Sequence, residues 1–178
     1  MNTSLRDIAQ ALLRQKKITV ISHRAPDGDT LGSALALILG LRQLGKDADF
    51  LCSDHIPQKY LYLFEGLNDL AEKKADPIAA AEGRFLVSVD VADAPLFGDL
   101  EPLAEKIDVC IDHHRTEKGF GTMIYRDPRS AAAGEIVYDL LRELGVVNDE
   151  KIAECLYTAI TTDTGCFSEL ARAVVREY

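Results

Sequence analysis

The sequence lacks the features that mark several classes of protein. Its four cysteines form no C-x-x-C pair, which disfavours both a disulfide framework and a thiolate zinc site. No stretch approaches twenty uninterrupted apolar residues, and the N-terminal segment lacks the long apolar core of a signal peptide. We therefore expect a cytoplasmic protein that has no membrane partner.

Positive charge is also scarce. The chain has 20 Lys and Arg residues against 29 Asp and Glu residues, which gives a formal net charge of -9. This balance disfavours binding to long duplex nucleic acid, because such binding depends on neutralising many phosphates with basic side chains. A short nucleotide remains compatible with the charge, since bound metal ions could meet its phosphates.

The remaining composition is that of a folded domain. Of the 178 residues, 47% are hydrophobic and 28% are charged, which is typical of one soluble globular domain. Apolar runs typical of buried strands alternate with helical patterns, so we predict an α/β fold with a doubly wound, mostly parallel sheet and helices on both faces. The predicted strands cover residues 18–22, 48–53, 84–90, 109–112 and 122–126. The predicted helices include residues 30–44, capped by Asp29 or Thr30, residues 131–144, and a last helix capped by Asn148.

Unusual polar residues follow three of these predicted strands. They are His23, Asp27 and Asp29 after the first, Asp90 at the end of the third, and Asp112, His113 and His114 at the end of the fourth. In an open α/β sheet, ligands bind beyond the carboxyl ends of the strands, so these side chains are expected to converge at one edge.

Such a cluster of acids requires compensating positive charge. Two carboxylates about 4 Å apart repel each other by roughly 4 kcal/mol at an effective dielectric of 20. Imidazole and carboxylate without thiolate form a ligand set suited to Mn²⁺ and acceptable to Mg²⁺, Co²⁺, Fe²⁺ or Zn²⁺. We therefore predict two divalent metal ions, most suitably Mn²⁺, which together would activate water and polarise a phosphoryl group.

Four motifs in order resemble the DHH phosphoesterase family. HRAPDGD fits its first motif, SVDVAD contains the acid of the second, IDHH is its signature, and TAITTDTGCF is similar to its fourth. The resemblance covers nearly the whole chain and is strongest to the bacterial type that degrades very short RNA and 3′-phosphoadenosine 5′-phosphate (pAp). RecJ-like exonucleases, cyclic-dinucleotide phosphodiesterases and family II pyrophosphatases are relatives of that type.

The resemblance implies a role for each motif residue. His23 and Asp27 would hold one metal ion, His113, Asp29 and Asp163 would hold the other, and Asp90 would bridge the two. His114 and Asp112 would take part in catalysis: His114 would bind a phosphate oxygen or help to protonate the leaving group, and Asp112 would orient its neighbours.

Some residues have an alternative interpretation. Asp29, taken alone, is better explained as the N-cap of its own helix, because Asp is among the best N-cap residues. Arg115 could contact a substrate phosphate in bidentate fashion, or could belong to a solvated loop. Gly28 is expected to let the chain turn tightly between two metal ligands, and Gly165 to do the same after Asp163.

The end of the chain bears on activity. After TDTGCF, members of the family continue into a smaller DHH-associated domain, whereas this sequence reads SELARAVVREY and ends. We therefore expect residues 1–178 to form a DHH domain alone, with weakened hydrolysis of phosphate esters in short nucleotides. A cyclic-dinucleotide phosphodiesterase, a pyrophosphatase and a non-catalytic metal- or nucleotide-binding remnant are the alternatives, and a homodimer is left open.

Overall fold

A five-stranded parallel sheet organises the chain. The computed structural model describes residues 3–116, 119–147 and 149–168. The strands are β1 Lys17–Ile21, β2 Asp47–Leu51, β3 Phe85–Val89, β4 Val109–Asp112 and β5 Met123–Arg126. The α-helices are α1 Leu5–Arg14, α2 Gly28–Gln43, α3 Asn68–Ala71, α4 Pro77–Ala80, α5 Ala133–Glu143 and α6 Glu150–Asp163. Two 3₁₀ segments cover Gln58–Phe64 and Ala94–Lys106.

The strand order determines where a ligand can bind. The order is β2-β1-β3-β4-β5, and every neighbouring pair is parallel. From β1 the chain moves outward to β2, then returns to β3 on the other side and continues to β5. The order therefore reverses between β1 and β3, and the crevice above the carboxyl ends of these two strands is the usual ligand site of such sheets.

Both faces of the sheet are covered, which confirms the predicted doubly wound architecture. On one face, α1, α2, α5 and α6 pack over the strands, and alternate residues such as Val87 and Val89 point into their core. On the other face, the Ala94–Lys106 segment and the chain around α4 cover residues such as Leu86 and Cys110. Alternation of this kind follows from the two-residue period of a strand.

The central helix α2 is buried along almost its whole length. Its sequence is rich in Leu, Ile and Ala, and the side chains from Leu31 to Ile38 are inaccessible to solvent. Each buried Leu or Ile contributes roughly 1.5–3 kcal/mol relative to an exposed one. Despite this apolar character, none of the helices in the described ranges has the length and hydropathy needed to cross a membrane.

The caps of two helices differ from the sequence prediction. Asp27, not Asp29 or Thr30, is the N-cap of α2. Its backbone is extended, and its Oδ1 accepts hydrogen bonds from the backbone N–H groups of Asp29 and Thr30. In α6 the cap is Asp149, whose carboxylate accepts from the backbone N–H of Ile152 at 2.9 Å. The predicted cap Asn148 lies outside the described residues.

Candidate metal centre

The loops above β1, β3 and β4 and the last turn of α6 bring the predicted ligands together. The residues concerned are His23, Asp27, Asp29, Asp90, His113 and Asp163. Their donor atoms form two groups, one of His23, Asp27 and Asp90 and one of Asp29, His113 and Asp163, and within each group all donors lie within 4.8 Å of one another. The predicted convergence at one sheet edge is therefore found in the structure.

Asp90 stands between the two groups. Its Oδ2 is 3.7 Å from the Nε2 of His23, and its Oδ1 is 3.6 Å from the Nε2 of His113. The side chain is only 3% exposed, and the backbone has a φ of 61°, in the left-handed region. Such a backbone is uncommon for a residue other than glycine and is tolerated best by Asp and Asn. The turn after β3 thus points one carboxylate at both groups.

The distances within the groups fit ligands that share a cation better than hydrogen bonds. The Nε2 of His113 is 3.6 Å from Asp29 Oδ2 and 3.5 Å from Asp163 Oδ2, and the Nε2 of His23 is 3.7 Å from Asp27 Oδ1. An N–H···O hydrogen bond is about 2.7–3.2 Å long. Two ligands that are each about 2.1 Å from one ion lie roughly 3.0–3.6 Å apart.

Two buried atoms at the centre of the cluster are unsatisfied. Neither Asp90 Oδ1 nor His113 Nε2 has a hydrogen-bond partner among the described residues. Buried polar atoms are nearly always hydrogen-bonded, and an unpaired one costs about 1–3 kcal/mol. Because the two atoms face each other across 3.6 Å, a divalent cation would satisfy both, and the residues present fit such an ion.

The electrostatics of the His23 group show how strongly the site attracts positive charge. Burial lowers the pKa of His23, but the carboxylates of Asp27 and Asp90 outweigh burial and raise it to about 10. Burial raises the pKa of Asp27, but the contact with His23 and the hydrogen bond from the backbone N–H of Thr30 outweigh burial and lower it. The two carboxylates therefore favour positive charge beside His23.

Asp29 caps a helix, but not its own. Its side chain is 1% exposed, and its Oδ1 accepts from the Ser33 hydroxyl at 2.9 Å and the Gly134 N–H at 3.0 Å. Its Oδ2 accepts from the Ala133 N–H at 2.7 Å. Burial and the neighbouring charge of Asp90 raise the pKa of Asp29 well above its usual value. Asp29 therefore joins α2 to the amino end of α5 while facing the His113 group.

Gly28 has a different role from the one predicted. It is the first residue of α2 and does not adopt a left-handed backbone, so no turn requires a glycine there. A Cβ at this position would lie 2.3 Å from the Oγ1 of Thr162 on α6. Gly28 is therefore needed for the close approach of α6, which brings Asp163 toward Asp29. Gly165, in contrast, has a φ of 56° and makes the expected turn after Asp163.

His114 lies beside the ligand groups with one ring nitrogen already engaged. Its Nδ1 is 2.8 Å from Asp112 Oδ1 and 3.5 Å from Asp90 Oδ1. The hydrogen bond to Asp112, despite some burial, raises the pKa of His114 to about 9. Asp112 itself is inaccessible to solvent, and burial raises its pKa, but His114 outweighs burial and lowers it. His114 can thus offer Nε2 from a ring that is half exposed.

Sequence reasoning missed two contributions to the site. The backbone N–H groups of Ala133 and Gly134 hold Asp29, and no side-chain pattern could reveal them. Arg126 contacts Asp112 through its Nε at 3.2 Å, and only the pairing of Asp112 with Arg126 in adjacent strands would have indicated this contact. Arg115 is exposed in the loop after β4, and its predicted contact with substrate stays a prediction.

Comparisons with known proteins find a family model and several relatives that match this chain. The model of the family described as "DHH family, N-terminal domain" matches residues 17–160. A bifunctional oligoribonuclease and PAP phosphatase of Thermus thermophilus is 34% identical over 151 residues, which are 84% of this chain and 44% of that protein. A probable manganese-dependent inorganic pyrophosphatase of Enterococcus faecalis is 27% identical over 155 residues, 85% of this chain and 49% of that protein.

A solved protein structure has the same fold as this chain. The crystal structure of an exopolyphosphatase-related protein from Bacteroides fragilis superposes with a TM-score of 0.81 and 24% sequence identity. The match covers 92% of this chain and 51% of that one. The chain thus spans about half the length of the proteins it matches.

Proposed function

The chain belongs to the DHH family, and from this premise we propose that it hydrolyses phosphate esters of short nucleotides with two divalent metal ions, preferably Mn²⁺. The preferred substrates are very short RNA or pAp, because the Thermus thermophilus relative is named as a bifunctional oligoribonuclease and PAP phosphatase. The manganese preference is supported by the ligand chemistry and by the name of the Enterococcus faecalis relative.

The observation that carries the proposal is the position of Asp90. One of its oxygens faces His23 and the other faces His113, at 3.7 and 3.6 Å. A carboxylate that faces two sets of donors in this way suits a pair of ions that share it. When bound, such a pair supplies a water nucleophile near neutral pH and polarises the phosphoryl group.

The protein side chains orient the substrate and move a proton. His114 donates from Nδ1 to Asp112, so its Nε2 is available at the cleft. From there it can hydrogen-bond a phosphate oxygen or protonate the leaving oxygen of the ester. His23, Asp27, Asp29, His113 and Asp163 would act as metal ligands, and the fixed positions of Asp29 and Asp90 in the buried part of the site limit movement of the ions.

Turnover with defined substrates tests the proposal. The wild-type chain and Asp90→Asn are incubated with Mn²⁺ and, in separate reactions, a diribonucleotide, pAp, a cyclic dinucleotide or pyrophosphate. We expect manganese-dependent release of nucleotide or phosphate from the dinucleotide or pAp, abolished by chelator and by Asp90→Asn. Asp108→Asn is the matched control, because Asp108 lies at the opposite end of β4 and accepts a hydrogen bond from Leu86.

The possible outcomes separate the alternative functions. Faster hydrolysis of a cyclic dinucleotide or of pyrophosphate would show that the same metal site acts on that substrate, and it would reject the preference for very short RNA or pAp. Binding of Mn²⁺ with no product above the Asp90→Asn background would reject catalysis and favour a binding module.

A further inference from the structure

Arg126 is a partly buried arginine at the edge of the proposed active site. It is the last residue of β5 and the direct register partner of Asp112 in the adjacent parallel strand. Its side chain is only 13% exposed. Its Nε donates to Asp112 Oδ2 at 3.2 Å, and its Nη1 donates to the backbone oxygen of Thr116 at 2.9 Å. The guanidinium of Arg126 thus bonds to both ends of segment 112–116, which carries the two histidines.

The two carboxylate oxygens of Asp112 have different partners, Arg126 and His114. Oδ2 receives Arg126, whereas Oδ1 accepts from the backbone N–H of His114 at 3.1 Å and pairs with its ring Nδ1 at 2.8 Å. The carboxylate has no access to solvent. It can therefore rotate only if its contact with Arg126 breaks, and rotation would remove the partner of the His114 ring.

The geometry of the guanidinium makes this arrangement specific. Its donors lie in a rigid plane, so one side chain can bind a carboxylate and a carbonyl in fixed relative directions, which a lysine cannot reproduce. Thr116 also donates its backbone N–H to the oxygen of His114 at 3.1 Å. The turn from Asp112 to Thr116 therefore has an internal backbone hydrogen bond, and both of its ends are bonded to Arg126 of β5.

We propose that Arg126 is a positioning residue that acts through Asp112 to fix the ring of His114, so that Nε2 of His114 faces the substrate. This inference rests on the proposed phosphoesterase function. Because Arg126 donates to Asp112 Oδ2, and Asp112 Oδ1 pairs with the ring of His114, we expect its effect on turnover to pass through His114.

A double-mutant cycle tests the inference. Arg126→Met is compared with wild type, and the same change is made in His114→Ala, all with Mn²⁺ and the substrate on which the wild type is active. Substitution of a residue that orients an active-site group typically lowers activity by about 10- to 100-fold. We expect a loss in this range for kcat/KM in the wild-type background, less than about threefold in the His114→Ala background, and an intermediate loss for Arg126→Lys.

A second partly buried arginine provides the matched control. Arg84 is 11% exposed and binds Asp47 and the backbone at the other end of the strands. Arg84→Met should lower the melting temperature as Arg126→Met does, yet leave kcat/KM nearly unchanged. Equal losses from Arg126→Met with and without His114 would overturn the proposal, since a purely structural role acts alike in both backgrounds.

A readout without turnover separates this inference from the proposed function. The imidazole ¹⁵N–¹H spectrum of the Mg²⁺-loaded chain reports which ring nitrogen of His114 carries the proton, and His114→Ala assigns the signal. We expect the protonated Nδ1 in the wild type and a shifted or exchange-broadened signal in Arg126→Met. An unchanged His114 signal in Arg126→Met would overturn the positioning role even if no substrate were turned over.

Discussion

Replacing Asp90 with asparagine should change stability in opposite directions with and without manganese. Asparagine is the suitable substitute because it tolerates the φ of 61° at this position. Alanine would add about 1–2 kcal/mol of left-handed backbone strain. Asp90→Asn therefore removes the charge and one metal-binding oxygen while it preserves the turn after β3.

In the metal-free protein, the substitution should be stabilising. Burial, which the contact with His23 only partly offsets, raises the pKa of Asp90 above its usual value. A carboxyl whose pKa is higher in the folded state destabilises the fold once the pH exceeds its ordinary value of 3.8, because the unfolded chain ionises more easily. At pH 7, removing this charge should add about 1.4 kcal/mol for each unit by which folding raises the pKa of Asp90, and each kcal/mol is roughly 2–4 °C in melting temperature for a domain of this size.

With manganese, the order should reverse. An ion at one hundred times its dissociation constant adds about 2.7 kcal/mol to the stability of the wild type, which is roughly 5–10 °C for each ion. Because Asp90 faces both donor groups, its loss weakens both sites, and we expect less than half of this shift in the variant.

Thermal melts in chelator and in MnCl₂ measure both effects. Asp108→Asn, at the far end of β4, should lower the melting temperature in both solutions and keep the full manganese shift. A metal-free Asp90→Asn that melts below the wild type, or one with the wild-type manganese shift, would refute the reasoning.

Three further predictions concern the surroundings of the site. Gly28→Ala should clash with Thr162 on α6, lowering stability by about 1–3 kcal/mol and weakening Mn²⁺ binding in calorimetry, whereas Gly45→Ala in an open turn should leave Mn²⁺ binding unchanged. In MnCl₂, Asp29→Ala should cost about 3–5 kcal/mol in urea denaturation, because it would leave the cation without a buried carboxylate partner and the N–H groups of Ala133 and Gly134 without their acceptor. A loss below about 1 kcal/mol would argue against its role. Since the pKa of His23 is raised from 6.5 to about 10, the stability it adds to the metal-free chain is complete below pH 6.5 and falls as the pH rises to 10. Melts across this range in chelator should show the decline, and His23→Gln should reduce it.

The sequence predicts the sheet, and the convergence of these polar side chains at its edge, because both depend on local patterns. Continuous apolar runs mark the parallel strands, and polar residues directly after them fall at one edge whatever the packing details. Asp90 and His113 could therefore be placed together although they are 23 positions apart in the sequence (113 − 90). The strand order that puts the crevice between β1 and β3 follows only from the structure.

Contacts made across elements could not be predicted in the same way. The sequence suggested Asp29 as the cap of its own helix, but the amino end of α5, which has no side-chain cap of its own, approaches Asp29 from 104 residues away. The role of Gly28 likewise depends on how closely α6 packs. Arg126 was missed because an arginine in a strand becomes informative only when its register partner is known.

Anomalous diffraction from crystals grown with Mn²⁺ tests the central claim most directly. We expect two manganese peaks, one on each side of the Asp90 carboxylate. One should be bounded by His23 and Asp27, and the other by Asp29, His113 and Asp163. A single peak, or manganese bound without contact to Asp90, would contradict this claim.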